Sequence, residues 1–173
     1  MRTHLLFLLI SVLTFTACDN KVETSTGTAI NTTGSQYYPV KKVVDGDTFW
    51  ADDGSEKGVK VRLIGVNTPE NHKSPHKDIE RFGQEAQDYL TNLLTGKRVK
   101  LVNDVDRLDQ YGRTLSYVYL EDGTFVNALL VKEGYAQVMT IPPNVAHAEE
   151  FVQLQREARE NKRGMWAEEP VAQ

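Results

Sequence analysis

The chain has 173 residues, 40% hydrophobic and 25% charged. That suits one globular domain with appendages and excludes a disordered chain, a collagen and a polytopic membrane protein. The formal charge of −4 excludes a general phosphate-attracting field, so any grip on nucleic acid has to come from local positive charge. The single cysteine excludes an intrachain disulfide.

The first element is an apolar run from Leu5 to Phe15 behind Arg2. It falls short of the roughly 20 residues that span a bilayer and has the length of the apolar part of an export signal. It ends in Phe15-Thr16-Ala17-Cys18, which resembles a bacterial lipobox. Residues 1–17 therefore read as a lipoprotein signal peptide and Cys18 as the lipidated new N-terminus. Multiple acyl chains there would anchor the protein to the cell envelope; an ordinary cleaved signal would leave it secreted. Residues 18–36, rich in Ser and Thr and without an aromatic, read as a flexible tether. The folded part is expected over residues 37–167, with a tail at 168–173.

Val40 to Val44 and Thr48 to Ala51 flank Asp45-Gly46-Asp47 and predict strand, tight turn, strand. Val59 to Leu63 alternates with the period of a half-buried strand. The first helix follows from Ala86, Tyr89, Leu90, Leu93 and Leu94 at helical spacing, with Gly96 suited to its end. Val99 to Val102 and Thr114 to Leu120 are further strands. A second helix covers Val126 to Glu133 and stops at Gly134; a third covers about Ala146 to Asn161. Helices interrupting mostly antiparallel strands make the fold α+β.

Three clusters carry chemistry. Val44-Asp45-Gly46-Asp47-Thr48 sets two carboxylates beside a glycine, which alone reads as a hairpin turn. Arg62 stands on a strand running into Asn67-Thr68-Pro69-Glu70, and Arg113 follows Asp109-Gln110-Tyr111-Gly112. Two guanidinium groups with oxygen ligands for a hard cation are what phosphoryl chemistry needs. Glu70 is the only carboxylate in its corner, where Pro69 fixes the backbone. Between Asn71 and Arg81, His72, Lys73, His76 and Lys77 read as a basic loop near substrate, because Pro75 keeps the two histidines off one helix face.

Together these clusters resemble the staphylococcal nuclease (thermonuclease) family over roughly Tyr38 to Trp166. The ending Asn161-Lys162-Arg163-Gly164-Met165-Trp166 fits as well. The resemblance implies a five-stranded OB-fold barrel with three helices. It implies a Ca²⁺-dependent nuclease that hydrolyses DNA and RNA and leaves 3′-phosphates. Asp47 would ligate the metal directly, Asp45 through a water, and Asn67 and the Thr68 carbonyl would fill further positions. Glu70 would orient or deprotonate the attacking water, while Arg62 and Arg113 would hold the scissile phosphate. Tyr111, Lys73 and Lys77 would contact substrate. A monomer without a protein partner is implied too.

Two positions depart from the family pattern. Asn67 stands where well-studied members carry Asp, giving an oxygen without a charge and hence weaker calcium binding. Around Met139-Thr140-Ile141-Pro142-Pro143, Thr140 and Pro142 offer no ring for a base to stack on. The alternatives to an enzyme are a silent OB-fold module that binds nucleic acid and a calcium-dependent surface domain. Neither accounts for Glu70, Arg62 and Arg113 occurring together.

Overall fold

The structure, a computed structural model, describes residues 36–71 and 81–167. Seven strands and three helices follow in the order β1 (Tyr37–Asp45), β2 (Thr48–Ala51), β3 (Val59–Leu63), β4 (Val66–Asn67), α1 (Gly83–Leu94), β5 (Arg98–Val102), β6 (Thr114–Leu120), α2 (Val126–Lys132), β7 (Gln137–Val138) and α3 (Ala148–Glu160). A short 3-10 turn at Gly164–Trp166 closes the described part.

Five strands close a barrel in the order β1-β2-β3-β6-β5. Together with the three helices it is the OB-type α+β architecture expected. Alternation explains which side chains fill it. Phe49, Ala51, Val61, Leu63, Val99 and Val118 point inward and are almost wholly buried, while their neighbours along the strands point out. Leu90 and Leu94 of α1 and Leu130 of α2 join the same core, as does Phe151 of α3 beneath a ring cluster of Tyr117, Phe125 and His147. Truncating a buried ring such as Phe49 to alanine removes about 3–5 kcal/mol in such surroundings.

Three features differ from the sequence expectation. β1 begins at Tyr37, three residues early, because Tyr37, Tyr38 and Pro39 pair with Lys100, Val99 and Arg98 of β5 while its later part pairs with β2. One long strand, irregular between Val40 and Lys42 and again between Val43 and Asp45, thus serves two edges of the barrel. β3 and β6 run parallel, since the chain reaches β6 by way of α1 and β5. β4 and β7 pair Val66 with Val138 and Asn67 with Gln137; two-residue strands have no period to show in a sequence.

Asn127, wholly buried on α2, locks the parallel junction. Its Oδ1 accepts from Val118 N–H at 2.9 Å, and its Nδ2 donates to the carbonyls of Ile64 at 2.9 Å and Ser116 at 3.3 Å. All its bonds go to main-chain groups where β3 and β6 meet, and the Ser116 carbonyl it reaches also accepts Ile64 N–H at 3.1 Å.

Candidate active site

The turn between β1 and β2 brings Asp45 and Asp47 to one end of the barrel. Asp45 Oδ1 accepts Gly46 N–H at 2.8 Å. A Cβ on Gly46 would stand 2.7 Å from Thr68 Oγ1 and 2.8 Å from Thr68 Cβ, so only glycine lets the turn lie against the Thr68-Pro69 corner. Asp47, 6% exposed, is held from three sides. Its Oδ1 accepts the Thr48 hydroxyl at 2.9 Å, and its Oδ2 accepts Thr68 N–H at 3.2 Å and faces Arg62 at 3.0 Å.

Arg62 is nearly as buried, at 8% exposed. One terminal nitrogen donates to the carbonyls of Leu63 at 2.7 Å and Val66 at 2.8 Å. The other reaches Asn67 Oδ1 at 3.3 Å and Asp47. Four N–H groups are thereby committed to the protein and Nε–H is left over. Burial lowers its pKa and the Arg113 charge does the same, while Asp47 opposes both. Two mutually repelling cations on one wall make a place for an anion.

Arg113 is placed differently. Its Nε donates to Asp109 Oδ2 at 2.5 Å, and Asp109 Oδ1 also accepts the N–H groups of Tyr111 and Arg113 at 2.9 Å each. Burial works upward on the Asp109 carboxyl, but these hydrogen bonds and the Arg113 charge hold it below its ordinary value. The rest of the Arg113 fork has no partner among the described residues and lies 5.4 Å from the Tyr111 ring, itself 74% exposed. Arg62, Arg113 and Tyr111 line a cleft of about 510 Å³ together with Leu108, Met139 and Ile141. From the segment after β7 the cleft takes Met139, Ile141, Pro142 and Pro143, while Thr140 does not line it. The wall is apolar and aliphatic.

Glu70 stands close enough to Asp45 for the two carboxyl groups to act on each other. Burial first, then the charges of Asp47 and Glu70, push the Asp45 carboxyl up to about 6 against the pull of Gly46 N–H. α1 seats this corner: a Cβ on Gly83 would meet the Glu70 carbonyl at 2.5 Å. Asn71 bonds Gln84 and Gln87, and Gln87 donates onward to the Val44 carbonyl at 3.1 Å. Crowded carboxylates beside the Asn67 amide oxygen and the Thr68 carbonyl are all hard oxygen donors, and their mutual repulsion is what a hard divalent cation relieves. The residues present fit such an ion by donor chemistry. Among the described residues no three His, Cys, Asp or Glu side chains form a ready-made cluster, so the fit depends on the amide and main-chain oxygens as well.

The structure thus brings Asp45, Asp47, Arg62, Asn67, Thr68 and Glu70 into one corner, with Arg113 and Tyr111 on the adjoining cleft. Lys73, Lys77 and Cys18 lie outside the described residues. Sequence reasoning missed Asp109 as the group that aims Arg113; its place four residues before an arginine was the available signal. It also missed the backbone carbonyls that hold Arg62, for which a sequence has no sign.

Comparison with known proteins settles the family. A family model described as staphylococcal nuclease homologue matches residues 60–168. The chain belongs to the staphylococcal nuclease family. The thermonuclease of Staphylococcus intermedius is 42% identical over 130 residues, covering 75% of both chains. That of Staphylococcus hyicus is 38% identical over 139 residues, 80% of each. An uncharacterized endonuclease of Escherichia coli is 35% identical over 137 residues, 76% of this chain and 78% of the relative. Membership in this family supports nuclease function for the chain.

Proposed function

We propose that this member of the staphylococcal nuclease family is a Ca²⁺-dependent endonuclease that hydrolyses DNA and RNA and leaves 3′-phosphate ends. We further propose that a lipid on Cys18 holds it at the cell envelope, with residues 18–36 as tether, 37–167 as the nuclease domain and 168–173 as a tail. The observation that carries the activity is the position of Arg62. On one side it touches Asp47 and Asn67, and on the other it lines a cleft with Arg113. Oxygen donors for a cation and two guanidinium groups for a phosphate therefore meet at one point.

In this reading Asp45, Asp47, Asn67 and the Thr68 carbonyl hold the cation. When bound, it relieves charge on the phosphate and makes a bound water more acidic. Glu70 orients the attacking water and takes its proton. Arg113 offers its open fork to the phosphate oxygens as charge builds in the transition state. Arg62 supplies charge from beneath and Nε–H as its remaining donor. Tyr111 lies beside the fork, and Lys73 and Lys77 add local positive charge to an acidic protein.

The test is hydrolysis of plasmid DNA and of RNA by the full chain with Ca²⁺ and with EDTA, alongside Glu70→Gln. Activity in Ca²⁺ alone, a loss of about 10²-fold or more in the variant, and product ends that need phosphatase before ligation at the 3′ side are expected. Equal cleavage in EDTA overturns the cation, and a variant within threefold of wild type removes Glu70 from its role.

A further inference from the structure

The outer side of the barrel carries a feature that the reaction leaves unused. Along β1, β2 and β3 the inward positions fill the core, and the outward ones form rungs across the strands. One rung is Asp45–Thr48–Arg62, part of the corner described above. The next is Lys42–Trp50–Lys60. Two residues of strand separate them, about 7 Å. Beside Trp50 opens a hollow of about 370 Å³, bounded also by Lys41, Lys42, Lys57 and Glu56.

The charges around the indole are unevenly used. Lys41 faces Asp52 at 3.7 Å and donates to the Glu56 carbonyl at 3.1 Å, which ties it to the loop between β2 and β3. Lys57 Nζ stands 5.4 Å from the centre of the Trp50 ring. Lys42, Lys57 and Lys60 have no ion-pair partner among the described residues. On a chain of formal charge −4, three ammonium groups without an ion-pair partner around a half-buried tryptophan, against the one carboxylate of Glu56 at the hollow, leave a locally positive patch.

We propose that this patch is an exosite for the single-stranded part of the nucleic-acid substrate. A base stacks on Trp50, and Lys42, Lys57 and Lys60 neutralise the phosphates on either side. The proposal rests on the nuclease reading and adds to it a binding site outside the reacting corner. An indole that lines a hollow and is flanked by point charges matches a polynucleotide, whose bases and phosphates alternate in the same way, with the Lys57 ammonium moving from over the ring to a phosphate when a base stacks there. The rungs give the direction: a strand with a phosphate at Arg62 continues along β2 and β3 onto Trp50. A lipid surface would need apolar side chains beside the indole to enter it. Of the large exposed apolar residues, Leu108, Tyr111, Met139 and Ile141 line the cleft, and none among the described residues lines this hollow.

The experiment compares hydrolysis of a thymidylate dodecamer and of a dinucleotide by the full chain. Trp50→Ala is expected to raise KM for the dodecamer about tenfold, within the range found when a base loses its aromatic partner. Its kcat and the dinucleotide kinetics stay as in wild type, and Trp50→Phe, which keeps a ring, recovers most of the loss. Lys42→Ser and Lys57→Ser, at exposed positions that leave the fold alone, each lower the salt slope of dodecamer binding by roughly 0.7. An unchanged KM in Trp50→Ala together with unchanged salt slopes overturns the exosite while wild-type cleavage keeps the nuclease reading standing. Wild-type protein that cleaves neither substrate overturns both. Trp50-dependent binding to phosphatidylglycerol vesicles with dodecamer kinetics unchanged assigns the patch to a lipid surface and overturns it as well.

Discussion

Replacing each of the two arginines by lysine separates roles that the sequence gives no means to separate. Arg62 commits four N–H groups on two nitrogens to the Leu63 and Val66 carbonyls, the Asn67 amide and the Asp47 carboxylate. Lysine has its donors on one atom and cannot reach all four acceptors. Losing one or two bonds from a charged donor, at about 1.5–3 kcal/mol each, destabilises the fold by about 2–5 kcal/mol. In a domain of this size that lowers Tm by about 10 °C. Among the described residues Arg113 makes one side-chain bond, to Asp109 on a partly exposed loop, and Arg113→Lys should change stability by no more than about 1 kcal/mol. Activity should fall in both variants by roughly 10²-fold or more: Arg113→Lys loses the open fork, and Arg62→Lys loses both Nε–H and the bonds that hold its charge beneath the phosphate. Urea unfolding followed by circular dichroism reads the first quantity and initial rates on DNA read the second. Equal stability losses in the two variants, or an Arg62→Lys protein that unfolds at the wild-type midpoint, would refute the assignment of Arg62 to the fold as well as to the phosphate.

Three further outcomes follow from particular contacts. Asn67→Asp adds a charge to the cation corner and should tighten Ca²⁺ binding by about 1–2 kcal/mol, five- to thirtyfold, once desolvation is set against the gain; calorimetric titration showing equal or weaker binding removes Asn67 from the ligand set. Burial, then the hydrogen bond to Asp104 and that carboxylate's charge, push the Tyr117 hydroxyl up to about 12. A group raised on folding stabilises fully below its unfolded value near 10 and loses that contribution as pH climbs to about 12. Alkaline unfolding of wild type should steepen in that window, and the same curve in Tyr117→Phe would show the tyrosine to be uninvolved. Cys18→Ser should shift the protein from the membrane fraction, or leave it unprocessed, without altering the purified domain's specific activity; equal partitioning into detergent would remove the lipid anchor.

Much of this architecture was legible because its elements have periods. Phe49 and Ala51, or Leu90 and Leu94, declare their inward faces by spacing alone, and glycines such as Gly96 and Gly134 end helices where expected. The three chemical clusters were legible because each is contiguous. What stayed hidden depends on residues distant in sequence. Asn127 looks like an ordinary polar position on a helix until the Ile64 and Ser116 carbonyls stand opposite it. Met139 and Ile141 become a cleft wall only when Met139 N–H bonds the Gly65 carbonyl at 2.9 Å. Trp50 with its lysines reads as a strand residue near scattered charges until the register aligns Lys42, Trp50 and Lys60.

The parallel β3–β6 junction also bears on when the enzyme comes into being. Arg62 and Arg113 approach each other only because Val61 pairs with Thr114 and Leu63 with Ser116. Partners on the order of fifty residues apart in sequence are slow to meet, since chain entropy is spent before any contact repays it. Asn127, which seals that junction, lies later still in the chain. The arginines are thus both present in the chain before the residue that seals their junction. Until β3 and β6 are in register, the two guanidinium groups do not share a cleft.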